Sequence, residues 1–381
     1  MRSPVVRVLA QPSRARRPIT AVALVVIAAV AIGLNVGTLG SPRILVATLS
    51  GVILISAAFA AGAPALILLV VWLAVLGTLR RVLPPEGTAF GDPLLLVGPA
   101  ALLTMAALAA VRGAFRNRTA LANAVLALSA ISVLGALNPL QGSPLVGLGG
   151  LLFLFVPQLG FWIGRGAASD LALRGVIVAI ALLSVLAALY GLVQQFVAFP
   201  SWDRLWIDSA GYSALNVGGT IRAFASFSSA AEYAAFLAVG VVCWLALDIR
   251  APVSVLKLIV PMLLAIALFV ESSRGIVIAL VVALVALAAS GRRVPPWLAL
   301  AGAGLTLVLL STLVGFLSIN QATASDSASR LIAHQLQGLG DPFGSTSTGP
   351  GHFDLIAQGI LSVGAHPFGI GTGAVSIAAD K

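Results

Sequence analysis

The chain is short of almost everything that builds soluble enzymes. Among its 381 residues are one cysteine, three histidines and charged side chains at only 9% of positions. A single thiol closes no internal disulfide, and no Cys/His cluster stands at zinc spacing. Cys243 sits in an apolar run and reads as a small buried hydrophobe. Strict apolar–polar alternation is also missing, which argues against an outer-membrane barrel. In place of these the chain offers 60% hydrophobic residues and a mean hydropathy of +1.08. No soluble domain hides that much apolar surface, so the expected fold is an all-α, polytopic transmembrane helix bundle. The net charge of +10 would suggest nucleic acid in a soluble protein. Here the basic residues lie mainly in short loops beside apolar segments, where they orient helices, and no nucleic-acid partner, metal or cofactor is expected.

A helix needs about 20 apolar residues to cross the hydrocarbon. Spans are predicted over 19–37, 44–61, 64–79, 93–111, 119–137, 144–163, 171–198, 223–247, 256–270, 275–290 and 297–316, eleven in all. The basic start, Arg2 to Arg17, followed by Ile19–Leu34, resembles a signal peptide. Further apolar segments follow at once, so it is taken as a retained first span. Segments 256–270 and 275–290 are divided because one helix of over 30 residues is too long for an ordinary span. The resulting divisions are a basic N-terminus (1–18), an N-terminal bundle (19–198), a transmembrane core (199–316) and an outer segment (317–381).

With the N-terminus in the cytoplasm, fourteen basic residues fall inside and six outside up to residue 316. The six are Arg43, Arg80, Arg81, Arg204, Arg222 and Arg274. Arg80–Arg81 is the misfit, explained at this level only by snorkelling to the headgroups. The same topology puts the loop 199–222, the turn at Glu271 and Arg274, and everything after Phe316 on one outer side. Trp202, Trp206 and Tyr212 in that loop read as headgroup-level aromatics. The stretch after Phe316 is rich in Ser, Thr and Gly, holds His334, His352 and His366, and reads as a large outer loop with a short helix near Leu355–Val363. Its Gly-rich close suggests a fragment cut just after that loop.

Arg274 at a helix N-terminus is electrostatically odd, because that end of the dipole favours an anion. A guanidinium with free backbone N–H groups, and Gly275 allowing close approach, suits a phosphate or diphosphate. The plainer reading is an interfacial arginine paired with Glu271. Arg222 opens another outer-side run, and Glu232, ten residues on, is expected inside the membrane region with Arg222 or Arg274 as partner. His352 is a candidate general base. The "GIGTG" at 369–373 lacks the strand and helix of a dinucleotide site.

Three stretches in order resemble the O-antigen ligase/polymerase family of membrane glycosyltransferases. They are "GTIRAFASFSSAAEYAAFLA" (219–238), "ESSRGIVIALVVALVALA" (271–288) and "GHFDLIAQGILSVGAHPFGIGTG" (351–373). The resemblance covers the second half of the chain. It implies a metal-independent, inverting transfer of glycan from an undecaprenyl-diphosphate donor on the outer face of the cytoplasmic membrane. It further implies that Arg222 and Arg274 hold the diphosphate, and that an acceptor-activating histidine lies in or after the outer loop, where His352 stands. Glu232 and Glu271, from the reading of the residues themselves, are the carboxylates expected to support the arginines. The partners implied are a polyprenyl-diphosphate-linked glycan and membrane lipid. A transporter or flippase of lipid-linked sugars or small anions is the alternative.

Overall fold

The computed structural model describes residues 41–290 apart from 62, 84–91, 117, 168–169, 211–215, 218–219 and 249–254, and then 330–331, 344 and 349–374. The expected spans at 19–37 and 297–316 and most of the expected outer loop lie outside the described residues, as do His334 and Tyr212.

The described chain is helical, with one two-residue antiparallel ladder, β1 (Asn216–Val217) with β2 (Thr220–Ile221). Its helices are α1 (Pro42–Ala61), α2 (Ala63–Val82), α3 (Leu94–Val111), α4 (Ala120–Ala136), α5 (Pro144–Ala167) and α6 (Asp170–Phe196). There follow α7 (Ser201–Ala210), α8 (Ala230–Asp248), α9 (Val255–Glu271), α10 (Arg274–Ser290) and α11 (Gly349–Ala365). Six of them, α1, α2, α3, α5, α6 and α8, are long and apolar enough to cross a membrane. This is a helical membrane protein.

Two apolar cores hold the bundle together. The first joins α1, α2, α3 and α5 through Leu54, Trp72, Leu94, Met105 and Ile163. The second joins α6, α8, α9 and α10 through Ala188, Leu237, Leu264 and Leu280. In lipid, helices gain nothing from hiding apolar surface from water, so close approach at small residues carries the packing. A Cβ on Gly240 would lie 2.3 Å from the Ser184 side chain, and one on Gly191 would lie 2.1 Å from the Tyr233 hydroxyl, so α6 and α8 meet at contacts only glycine permits.

The seams also fix which helix ends lie together. Arg43 at the start of α1 reaches Asp92 just before α3, and Arg80 near the end of α2 reaches the same carboxylate. Arg222 before α8 reaches Glu271 at the end of α9. These termini form one arginine-rich end of the bundle. The 369–373 turn docks there too, on the α4–α5 connection. Thr372 N donates to Gly135 O (3.2 Å), and Asn138 Nδ2 donates to Gly369 O (2.9 Å). A Cβ on Gly373 would stand 1.9 Å from Val146 O, so protein packing explains that glycine.

Two expected boundaries move. The span expected from 223 begins at Ala230, because residues 222–229 are irregular backbone. The expected loop 199–222 contains α7, whose Asp203 turns inward and is fully buried.

Candidate functional site

Apolar sequence at 223–227 would ordinarily continue a span, but here it folds as a buried loop. Irregular backbone near membrane depth persists only where protein or a water-filled cavity satisfies its polar groups. In this loop side chains do so. Gln194 Oε1 accepts from Phe224 N (3.1 Å) and Ala225 N (2.7 Å). Arg81 Nη2 donates to Ala225 O (2.6 Å), and Arg81 Nη1 donates to Phe227 O. Thr78 N donates to Ser226 O (3.0 Å), Trp206 Nε1 to Ser228 O (3.1 Å) and Arg80 Nη1 to Ser228 Oγ (3.0 Å). The loop is therefore latched to α2, α6 and α7.

Behind the latch sits a buried charge network. Arg81 Nε lies 2.8 Å from Asp203 Oδ1, and both side chains are fully buried. The other carboxylate oxygen, Oδ2, accepts from the Tyr190 hydroxyl (2.6 Å) and from Gln194 Nε2 (2.7 Å). The Arg81 guanidinium also stacks over Phe224, 4.8 Å from the ring centroid, and Arg80 stacks over Trp206 at 5.0 Å. Such contacts are strengthened where water is excluded.

Close packing makes the latch sensitive to one methyl group. A Cβ on Gly77 would meet Phe227 C and Ser226 O at 2.5 Å, both backbone atoms that cannot swing aside. We predict that Gly77→Ala costs about 1–3 kcal/mol by overpacking. Thermal unfolding in detergent measures it, and an unchanged midpoint would mean that the loop is not pinned against α2.

Backbone strain marks the same region. Among the described residues two that are not glycine have positive φ, Ala225 (47°) and Ser272 (68°). Left-handed backbone costs an L-residue roughly 1–2 kcal/mol, and such residues persist where the surroundings over-determine them, often at functional sites. Ala225 stands in the latched loop and Ser272 in the α9–α10 turn. Ala225→Gly is expected to raise stability by up to about 1 kcal/mol, since it removes the Cβ clash at some entropic cost. A lower unfolding midpoint would show that the Ala225 methyl packs more than it strains.

These two strained segments meet at the sequence-predicted residues. Arg222 Nη2 pairs with Glu271 Oε1, and Arg222 Nε donates to Glu271 O (3.0 Å). The Glu271 side chain is fully buried, and that of Arg222 keeps a little exposure. The α9–α10 turn closes with Ser272 N donating to Phe269 O (3.0 Å), after which Arg274 begins α10 half-buried, three residues from Glu271. The expected pairing of Glu271 with Arg274 is thus replaced by a pair with Arg222, which joins the two segments that carry the predicted arginines.

Glu232 takes a different place from the one expected. Because α8 starts only at Ala230, Glu232 falls in its first turn and is exposed, not deep in the membrane beside an arginine. Its backbone N–H donates to Ser229 Oγ (3.2 Å), and its carboxylate accepts from Ser228 N (3.1 Å). That is a variant of the capping box, with Ser229 as the cap and the Glu232 carboxylate reaching back to the residue before it. His352 lies in the first turn of α11, and its side chain is outside the described residues. Among the described residues no three His, Cys, Asp or Glu side chains cluster so as to hold a metal ion.

Arg80, Arg81 and Asp203 are the residues sequence reasoning missed as parts of this site. Chemically, the end of the bundle offers Arg222 on a latched loop, with a carboxylate as its resident anion, and a second cation at a helix N-terminus. An incoming phosphate or diphosphate would compete with Glu271 for Arg222 and gain the N–H groups of α10. No protein family, curated protein or solved structure matches this chain.

Proposed function

We propose that the protein is an O-antigen ligase-like glycosyltransferase that moves or polymerises glycan from an undecaprenyl-diphosphate donor at the outer face of the cytoplasmic membrane. In this reading the arginine-rich end faces outward, the N-terminus is cytoplasmic, and about eleven spans complete the bundle, with 317–381 forming an outer segment. The acceptor hydroxyl attacks the anomeric carbon with inversion, the bond to the diphosphate oxygen breaks, and His352 takes the hydroxyl proton. Arg222 and Arg274 bind the diphosphate and stabilise the charge that builds on it as it leaves.

The observation that carries this reading is the Arg222–Glu271 pair. It ties two interrupted helical segments at one end of the bundle and keeps an arginine, bound to a carboxylate, within reach of that end's surface. Four of the six arginines assigned to the outer side, Arg43, Arg80, Arg81 and Arg222, are matched to Asp92, Asp203 and Glu271. Most of the arginines at that end are therefore matched by carboxylates within the protein.

The test is to reconstitute purified protein with a polyprenyl-diphosphate-linked oligosaccharide and a pool of glycan acceptors. Release of free polyprenyl diphosphate, lost in Arg274→Ala, supports the enzyme. Transbilayer movement of the intact lipid without bond cleavage would replace this reading with the transporter.

A further inference from the structure

Helix α11 is the one described helix whose side chains, wherever burial is described, are exposed along almost its whole length. That is unusual for what it carries. Phe353, Ile356, Ile360 and Val363 are 55%, 57%, 68% and 64% exposed. At 100° per residue these four fall on one side, while Asp354, Gln358 and Ser362 line the other. Leu355 and Leu361 are the exceptions, flanking the polar side on its two edges. The apolar part, Phe353–Ala365, is about 20 Å long at 1.5 Å per residue, short of the ~30 Å hydrocarbon thickness. This helix does not cross a bilayer, yet its apolar face is too continuous to stand in water.

Its tether says where that face goes. One turn after α11 the chain is fastened to the α4–α5 connection, by Asn138 Nδ2 to Gly369 O and by Thr372 N to Gly135 O. The apolar residues around this fastening are exposed as well: Phe368 at 95%, Leu137 at 74% and Leu140 at 64%. They continue into the exposed apolar faces of α4 and α5, which in a membrane protein are lipid contacts. The apolar side of α11 is thus held level with the end of the lipid-facing surface, where a short amphipathic helix settles into the headgroup–acyl boundary.

We infer that α11 is an interfacial helix, its Phe353–Ile356–Ile360–Val363 side in the acyl chains of the leaflet at the arginine-rich end and its Asp354–Gln358–Ser362 side toward water. Its described part, through Ala365, has no lysine or arginine, so the attachment is apolar and needs no anionic lipid. The lipid contact holds whether or not the protein transfers glycan.

The experiment is a nitroxide scan of the full chain in phosphatidylcholine nanodiscs, one label at a time at 353, 354, 356, 358, 360, 362 and 363, in a Cys243→Ala background. Labelling exposed positions leaves the fold unthreatened. Oxygen accessibility should exceed nickel-chelate accessibility at 353, 356, 360 and 363, and the order should reverse at 354, 358 and 362. The pattern should be unchanged when a quarter of the lipid is anionic. Uniformly high nickel accessibility would show a helix standing in water. Low accessibility to both reagents on the apolar side would show a face covered by protein. Either result overturns the inference.

Discussion

Asp203→Ala lowers the stability of the folded protein by about 3–5 kcal/mol, the usual penalty for breaking a buried pair and leaving one charge alone. Both partners are fully buried, so the guanidinium of Arg81 has no water to turn to. The substitution also strips an acceptor from the Tyr190 hydroxyl and from Gln194 Nε2, and Gln194 is the side chain that holds Phe224 and Ala225. The expected result is a sharp fall in the unfolding midpoint in detergent and a loop that opens to protease near residues 222–229. Asp203→Asn keeps the shape and one acceptor oxygen and should lose less. The double variant Arg81→Met with Asp203→Leu should recover part of the loss, since a buried pair gains little over well-packed apolar residues. Recovery stays partial because the bonds from Arg81 to Ala225 O and Phe227 O are gone. A midpoint for Asp203→Ala within a degree of the unmodified protein would remove the network from the account of the loop.

On the proposed glycosyltransferase reading, Arg222→Ala is expected to lower donor cleavage by roughly 10²–10³-fold, the range for losing one preorganised donor to a developing oxyanion. A simple loss would be ambiguous, because the substitution strands Glu271 as a buried charge. The companion Arg222→Ala/Glu271→Gln removes both charges, so its unfolding midpoint should return toward that of the unmodified protein while its activity stays low. Glu271→Gln alone keeps a polar group beside Arg222 and frees the guanidinium for the diphosphate, so cleavage should stay within about tenfold of normal. If the double variant regains cleavage, Arg222 holds the fold together and does not hold the donor.

The helices were largely readable because long apolar runs leave few options in lipid. The predicted spans 44–61, 93–111 and 275–290 begin and end within two residues of α1, α3 and α10. The loop at 222–229 was not readable by the same means. Its Ala and Phe residues have the composition of a span, and the groups that make irregular backbone tolerable there, on Thr78, Arg80, Arg81, Gln194 and Trp206, come from elsewhere in the chain.

Local chemistry held more than hydropathy did. Ser229-Ala-Ala-Glu232 before an apolar run is a capping-box pattern, which marks α8's start and explains Glu232 without any arginine. Arg80–Arg81 carried a signal in being anomalous: two adjacent cations closing a span on the side expected to hold fewer basic residues, with Asp92 and Asp203 in segments expected on that same side. What sequence could not supply was the partnering. That Glu271 faces Arg222, 49 residues back, and not Arg274, three residues on, depends on how the α9–α10 turn twists at Ser272.

The Arg81–Asp203 bond also sets a schedule for the protein's birth. Its partners are 122 residues apart, from 203 minus 81, and four helices, α3 to α6, lie between them. At about 5–20 residues per second, Asp203 leaves the ribosome roughly 6–24 s after Arg81. For that interval the Arg81 guanidinium has its bond to Thr78 Oγ1 within α2 but not its carboxylate, and the buried pair closes only when α7 arrives. Burial of Arg81 in the first half is therefore completed by a carboxylate made in the second.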